Sequence, residues 1–308
     1  MENKLPKIIV VLGPTASGKT DLALRLAKKY NGEIVSADSR QVYKKMNIGT
    51  AKPVGEWKDG AYIVEGVPHY MMDIVNPDED FSLADFKNMA TNSIYDILKR
   101  GKLPIIVGGT GLYVWTIIDN LDIPTVKPNP ELRKELEKKS LAELVLQLQE
   151  LDPQTAEKID VKNPRRVLRA LEVAISSGQS FIAQQTKSEP LFNALQIGIN
   201  ILKEELDIRI EKRVDVQMRD GLLAETETLQ ASGYDWNLPS MSGIGYRQIG
   251  YYLQDKMSLS EAVETLKTDT KKYAKRQITW FKRDKRIHWI KNDDKEKTEE
   301  LIENFLKS

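Results

Sequence analysis

A glycine-bounded segment near the N-terminus carries the clearest chemical pattern in the sequence. It matches the phosphate-binding pattern G-x-x-x-x-G-K-[ST] and reads Gly13-Pro14-Thr15-Ala16-Ser17-Gly18-Lys19-Thr20. In such a segment the glycines let backbone amides face an anion, and the lysine brings a cation to the outer phosphate. The final hydroxyl can ligate Mg²⁺. We therefore predict that this phosphate loop binds a diphosphate and that Thr20 is a metal ligand.

Two further polar segments follow apolar runs and are expected at the same place. Ser36-Ala37-Asp38-Ser39-Arg40-Gln41 ends the first, and Gly108-Gly109-Thr110-Gly111 ends the second. Ligands of open parallel sheets bind beyond the carboxyl ends of the strands, so Asp38 and Thr110 should lie near the phosphate. From spacing alone, Asp38 is either a metal ligand or general base, or the N-cap of a helix beginning near Val42-Tyr43. Thr110 is either a phosphate donor or a helix cap.

The elements that would position these residues alternate along the first third of the chain. Ile8–Leu12 is a continuous apolar run, typical of a strand buried on both faces, and Glu33–Ser36 and Leu103–Val107 resemble it. Apolar positions at helical spacing separate the runs, as over 84–99. This alternation predicts an α/β fold with a parallel sheet. The third run ends in Gly-Gly-Thr, without the acid of a hydrolytic NTPase, which disfavours that activity.

The pattern changes near residue 120. Prolines at 124, 128 and 130 mark a connection, and residues 131–151 and 164–177 have a helical pattern. After a break at Ser177-Gly178-Gln179, a strand pattern returns at Ala194–Ile201. We predict a core formed by 1–119 and 191–308, with a helical insertion at 120–190. The rest is predicted to be helical, over 204–231, 243–254 and 258–283.

Composition excludes several classes of protein. The 308 residues include no cysteine and two histidines, so a disulfide framework and a thiolate zinc site are excluded. No apolar run approaches the ~20 residues that span a bilayer, and we expect a cytoplasmic monomer without a membrane partner. Lys+Arg is 46 and Asp+Glu 45, but residues 267–291 hold ten Lys or Arg against two Asp. On charge alone, a solvated helix face is the preferred interpretation of that stretch.

Several blocks in fixed order resemble the bacterial tRNA dimethylallyltransferases, the IPP transferase family. The match runs from about residue 8 to about residue 285 and covers GPTASGKT (13–20), DSRQVY (38–43), IGTAKP (48–53), GGTGLY (108–113), the segments Asn163–Glu172 and Gly243–Arg247, and YAKRQITW (273–280). The chain departs from the family at His69-Tyr70, where paired histidines are frequent, and at Lys271-Lys272, where an arginine is common.

The resemblance implies a P-loop NTPase-like core that holds dimethylallyl diphosphate, not ATP, with Mg²⁺ as cofactor. The dimethylallyl group would go to N6 of adenine 37 in tRNA, and the insertion would grip the anticodon stem-loop. Asp38 resembles the family's general base, and Thr20 and Arg213 its further catalytic residues at the diphosphate. The positions that resemble tRNA contacts are Asp38, Ser39, Arg40, Gln41, Thr110, Arg133, Arg165, Arg166, Val167, Leu168 and Arg169.

Three other functions remain open. An adenylate dimethylallyltransferase would share the phosphate chemistry, but a free nucleotide needs no insertion of about 70 residues, and this disfavours it. A P-loop small-molecule kinase fits the phosphate loop alone. A non-catalytic RNA-binding module would need neither the phosphate loop nor Asp38.

Overall fold

The computed structural model describes residues 4–124, 126, 129–184, 186–291 and 293–308. The chain forms two compact units, Met1–Ile118 with Leu191–Ser308, and Asp119–Pro190. The strands are β1 (Lys7–Leu12), β2 (Gly32–Ser36), β3 (Glu56–Lys58), β4 (Ala61–Val64), β5 (Val67–Tyr70), β6 (Leu103–Gly108), β7 (Asn193–Asn200) and β8 (His288–Lys291). The helices are α1 (Lys19–Lys29), α2 (Leu83–Lys99), α3 (Gly111–Ile118), α4 (Pro130–Leu136), α5 (Leu141–Leu151), α6 (Pro153–Lys158), α7 (Pro164–Ser177), α8 (Lys203–Arg219), α9 (Leu222–Ala231), α10 (Tyr246–Leu253), α11 (Leu259–Phe281) and α12 (Lys295–Lys307).

The sheet of the larger unit has the order β3-β4-β5-β2-β6-β1-β7-β8. The pairs from β5 to β8 are parallel, and β3, β4 and β5 form an antiparallel meander at one edge. Val10 of β1 pairs with Ile106 on one side and Gln196 on the other, so β1 is central. The predicted α/β fold with a parallel sheet is confirmed. The short strands β3, β4, β5 and β8 and helix α12 were not predicted.

Both faces of the sheet are covered, which explains why β1 is apolar throughout. Ile9 and Val11 belong to a core that also includes residues of α1 and α12. Ile8, Val10 and Leu12 belong to the core on the other face, which includes residues of α2, α3 and the end of α11. Side chains of a strand alternate between faces, so a strand covered on both sides needs apolar residues at every position.

The carboxylate of Glu33 is held at the end of the sheet where β2 begins. Its side chain is 1% exposed and accepts hydrogen bonds from Arg100, Lys102 and Tyr70. Burial acts to raise the pKa of Glu33, but these donors together lower it to about 2. The Glu33 carboxylate is therefore engaged by internal partners.

The C-terminal helices of the larger unit have more breaks than the sequence indicates. The predicted stretch 204–231 divides into α8 and α9 at Gly221, whose φ of +104° favours glycine. The predicted stretch 243–254 becomes helical only at Tyr246. A separate apolar core joins these helices to Val42, Tyr43 and Met46. In the described part of the chain no helix is both long and apolar enough to cross a bilayer.

The smaller unit is helical and has its own apolar core, formed mainly by Leu136, Leu144, Leu148, Val167 and Leu171. A continuous helix over 131–151 is wrong, because the chain turns between α4 and α5. Ser140 starts α5 with a reciprocal cap: its hydroxyl accepts from the Glu143 amide at 3.3 Å, and the Glu143 carboxylate accepts from the Ser140 amide at 2.8 Å. Helix α7 ends at Ser177, and Gly178, which caps it, has a φ of +66°.

Candidate active site

The phosphate loop joins the end of β1 to the start of α1. Ala16 and Gly18 have left-handed backbones, with φ of +62° and +89°, and the Ser17 amide donates to the Pro14 carbonyl at 3.3 Å. Among the residues that the structure describes, no side chain caps the start of α1 at Gly18. The first amides of α1 and the positive end of its dipole are thus available to an anion.

A cleft that is partly open to solvent lies beside this loop. Its lining brings together the predicted residues Thr15, Ala16, Gly18, Lys19, Thr20, Asp38, Gln41 and Arg213, with Asp21, Thr50, Ala51, Met72, Val107 and Gly108. Gly13, Pro14 and Ser17 do not line it; the side chain of Ser17 is fully buried. The prediction that residues following separate strands meet near the phosphate loop therefore agrees with this geometry.

The segment after β2 turns without forming a helix. Residues 38–82, all of them described, contain turns and three strands but no helix, so the N-cap alternative for Asp38 is wrong. Instead, Asp38 Oδ1 accepts a hydrogen bond from the Arg40 amide at 2.9 Å, and this local turn presents the carboxylate to the cleft. This hydrogen bond, from a backbone amide to the side chain two residues earlier, has no distinct signal in the sequence.

Other predicted residues of this segment differ in where their side chains go. Gln41 lines the cleft and its Oε1 accepts from the Ser36 hydroxyl at 3.2 Å. Arg40 Nη1 donates to the Pro239 carbonyl at 2.5 Å. Thr110 Oγ1 accepts from the Ser39 amide at 3.2 Å, which ties the segment after β6 to the one after β2. Thr110 thus supports the neighbour of Asp38.

Two cations of the cleft lie against uncharged oxygens. Lys19 Nζ donates to the Pro14 carbonyl at 3.3 Å, and Arg213 Nη1 donates to Thr15 Oγ1 at 3.3 Å. Burial lowers the pKa of Lys19 to about 8, although the Asp38 charge acts in the opposite direction, and it also lowers the pKa of Arg213. Burial of these two positive charges destabilises the free protein, and an anion bound in the cleft would relieve that destabilisation.

Gln277 of α11 was missed as a site residue. Its Oε1 accepts from the Thr15 amide at 2.8 Å, and its Nε2 donates to the Gly109 carbonyl at 2.9 Å. A Cβ on Gly109 would lie 2.2 Å from Gln277 Nε2, so a larger residue there would displace the Gln277 amide group. Gln277 lies in the motif block YAKRQITW, but the resemblance assigned no role to this residue, and the sequence held no other signal for it.

The smaller unit contains the remaining predicted residues. Arg133 and Arg169 both contact the fully buried Glu172 carboxylate, at 2.8 and 2.5 Å. Arg165 and Arg166 are exposed at the start of α7, and Leu168 is half-buried. Val167 is fully buried in the core of this unit, so its side chain packs internally and does not face RNA.

The residues of the cleft fit Mg²⁺ only if substrate oxygens complete its shell. Among the described residues, no group of three or more His, Cys, Asp and Glu could hold a metal ion. The Thr20 hydroxyl lines the cleft with Asp21 and Asp38, and these are hard oxygen donors. Mg²⁺ commonly binds through few protein oxygens, several waters and substrate phosphates.

Known proteins resemble the chain along almost its full length. The IPP transferase family matches residues 41–284, and the isopentenyl transferase family matches residues 6–61. The tRNA dimethylallyltransferase of Acetivibrio thermocellus is 46% identical, over 98% of this chain and 96% of that protein, and one from Bacillus cereus is 44% identical, over 96% and 93%.

Solved structures of similar sequence share the fold. The tRNA isopentenylpyrophosphate transferase of Bacillus halodurans superposes with a TM-score of 0.70 at 38% identity, covering 97% of this chain and 95% of its own. A eukaryotic dimethylallyltransferase, described as acting on tRNA, gives a TM-score of 0.76 at 30% identity and covers 94% and 74%.

Proposed function

The chain belongs to the IPP transferase family, and from that premise we propose that it transfers a dimethylallyl group from dimethylallyl diphosphate to N6 of adenine 37 in tRNA. Its relatives are named tRNA dimethylallyltransferase, and the resemblance found in the motif blocks is confirmed. The main observation in support of this proposal is that one cleft holds two desolvated cations, Lys19 and Arg213, together with the carboxylate of Asp38.

The donor binds with its diphosphate at the phosphate loop. The amides at the start of α1, Lys19 and Arg213 offset its negative charge, which neither Asp38 nor the apolar residues of the cleft can do. The dimethylallyl group then extends along the cleft towards Asp38. The apolar side chains of Ala51, Met72 and Val107 line the same cleft and provide contact for a five-carbon chain.

In the transfer step, the new bond joins N6 to C1 of the dimethylallyl group, and the bond from C1 to the diphosphate oxygen breaks. The electron pair of that bond leaves with the diphosphate, and Lys19, Arg213 and the loop amides stabilise the growing charge. The N6 proton passes to Asp38, which also holds the amine in line. The adenine amine is a poor nucleophile because its lone pair is delocalised into the ring. Transfer of its proton to Asp38 therefore assists the attack on C1.

Mg²⁺ is proposed at Thr20, whose hydroxyl would share the ion with diphosphate oxygens and water. When bound, it supplies additional positive charge at the leaving diphosphate. Asp21 and Asp38 line the cleft with Thr20, and these hard oxygen donors support the assignment.

For the acceptor, we propose the anticodon stem-loop of tRNA. The target base must leave its stack to reach the cleft. Ser39, Arg40, Gln41 and Thr110 would contact it near Asp38. The smaller unit would grip the stem-loop through Arg133, Arg165, Arg166, Leu168 and Arg169. We also propose that the protein acts as a monomer in the cytoplasm.

Labelled dimethylallyl diphosphate tests the reaction, with an anticodon stem-loop, AMP or ATP as acceptor. Wild-type protein should label only the stem-loop adenine. Asp38→Asn should lower kcat by ~10²-fold or more while the stem-loop Kd stays within about twofold. Asp59→Asn, an exposed residue outside the cleft, is the matched control and should retain full activity.

Other outcomes would replace the proposal. Label in AMP would identify an adenylate prenyltransferase, and phosphate transfer from ATP a kinase. Binding of the stem-loop without any transfer would indicate an RNA-binding module. Full activity of Asp38→Asn would remove Asp38 from the chemistry.

A further inference from the structure

One wall of the cleft is a loop without regular secondary structure, Asn47–Lys52. It contributes Thr50 and Ala51 to the lining. Two backbone bonds close it, from the Ala51 amide to the Ile48 carbonyl and from the Lys52 amide to the Asn47 carbonyl, both at 3.0 Å. Ala51 has a φ of +49°, in the left-handed region that is costly for a residue with a Cβ. The loop therefore depends on outside contacts for its shape.

Glu225 of α9 supplies the main outside contact. Its carboxylate accepts hydrogen bonds from three consecutive amides, those of Asn47 at 2.9 Å, Ile48 at 2.9 Å and Gly49 at 3.1 Å. The Tyr246 hydroxyl of α10 also donates to it, at 2.6 Å. Hydrogen bonds to an ionised carboxylate are stronger than those between neutral groups, so one side chain fixes the first half of the loop.

Contacts on other sides complete this cradle. Gln217 of α8 donates from Nε2 to the Ile48 carbonyl at 2.6 Å. Gly49 packs on the ring of Tyr246 so closely that a Cβ there would lie 2.4 Å from a ring carbon. The buried ammonium of Lys52 donates to the Tyr43 carbonyl at 2.8 Å and contacts the Asp73 carboxylate. The loop is thus held by side chains from three different helices.

The loop is also joined to the residues that follow β2. Gln41 donates from Nε2 to the Thr50 and Ala51 carbonyls at 3.4 Å, and Gln41 lies in the cleft with Asp38. A displacement of the loop would therefore move one wall of the cleft and remove support from a side chain beside the proposed base.

We propose that Glu225 is a positioning residue for the transfer reaction: it touches no substrate, and it fixes Thr50, Ala51 and Gln41 in the places that the donor and the target adenine require. This inference rests on the proposed function and adds to it a residue that lies outside every motif block in the sequence. A residue that only stabilised the fold would change the amount of folded protein. A positioning residue also changes the kinetic constants of each folded, active molecule.

Glu225→Gln and Glu225→Ala test the inference, with Glu227→Gln as the matched control on the exposed side of the same helix. Gln keeps one acceptor oxygen and should have a smaller effect than Ala. With active sites titrated, kcat/KM for dimethylallyl diphosphate should fall ~10-fold in Glu225→Gln and up to ~10²-fold in Glu225→Ala, with a raised donor KM. Glu227→Gln should match the wild type.

Amide hydrogen exchange gives a second readout that does not need turnover. Deuterium uptake over residues 47–51 should rise in both Glu225 variants, while uptake in α1 stays as in the wild type. If the variants lose only folded protein and keep wild-type KM and kcat per active site, the inference is overturned. Unchanged exchange of the loop would overturn it as well.

The two failures can be separated. If Glu225→Ala does not fold, Glu225→Gln against Glu227→Gln still decides the question. If the wild type itself transfers no prenyl group, the proposed function fails, and the exchange experiment still shows whether Glu225 holds the loop.

Discussion

The protonation state of Lys19 should make donor binding in the cleft depend on pH. Burial lowers its pKa to about 8 in the free protein, so the ammonium begins to lose its proton just above neutral pH. A bound diphosphate would place negative charge beside it and raise that pKa. Between the two pKa values, the complex holds more protons than the free protein. Binding then takes up a proton, and the affinity for the donor must decrease as pH rises through about 8.

Calorimetry with dimethylallyl diphosphate from pH 6.5 to 9.5 checks this expectation. The Kd should be nearly constant below about 7.5 and rise by up to ~10-fold per pH unit above about 8. Buffers of different ionisation enthalpy should reveal proton uptake at pH 8.5. Lys19→Met should bind more weakly and lose the slope above pH 8. A wild-type Kd that stays constant to pH 9.5, or a variant that keeps the slope, would contradict the assignment of this titration to Lys19.

At the scale of elements, α11 joins two loops of the site through one buried side chain. Gln277 satisfies both the Thr15 amide and the Gly109 carbonyl, and it is 5% exposed. Gln277→Ala would leave the buried Gly109 carbonyl and the part-buried Thr15 amide without this partner. The free energy of unfolding should fall by about 1–3 kcal/mol. Because Thr15 belongs to the phosphate loop, the KM for the donor should rise too.

Urea unfolding and donor kinetics measure the two effects of Gln277→Ala. Thr279→Ala is the control, since the hydroxyl of this exposed residue donates to the Lys275 carbonyl of the same helix. Its unfolding free energy should stay within about 0.5 kcal/mol of the wild type. Equal stability of Gln277→Ala and wild type would show that the two hydrogen bonds of the Gln277 side chain contribute nothing to the free energy of unfolding.

The parts of the site that the sequence predicts are those encoded locally. The apolar run of β1, the glycines of the phosphate loop and the helical spacing of α1 lie within 25 residues, so pattern alone places Lys19 and Thr20. The turn at Asp38 could not be separated from a helix cap, because aspartate favours both. Glu225 reaches Gly49 across 176 residues, and Gln277 reaches Gly109 and Thr15 across 168 and 262, so only the packed fold brings these groups together.

At the scale of the whole molecule, the charges nearly cancel, with 46 Lys and Arg against 45 Asp and Glu. Long-range attraction to RNA therefore cannot come from net charge, and local groups must provide it. In the smaller unit, Arg165 and Arg166 are exposed at the start of α7, whereas Arg133 and Arg169 already contact Glu172. Arg165 and Arg166 form no ion pair among the described residues, and we predict that they contact phosphates. That this unit grips the anticodon stem-loop stays a prediction.

Replacing both arginines, Arg165→Ala with Arg166→Ala, should weaken stem-loop binding and leave the donor KM and the thermal midpoint unchanged. If each contacts one phosphate, the slope of log Kd against log salt should decrease by about 1–2. The control is Lys134→Ala with Lys138→Ala, which removes the same charge from exposed sites of the same unit. Equal weakening by both pairs would indicate nonspecific attraction, because only a specific contact depends on which cations are removed. No weakening by the arginine pair would place the RNA elsewhere.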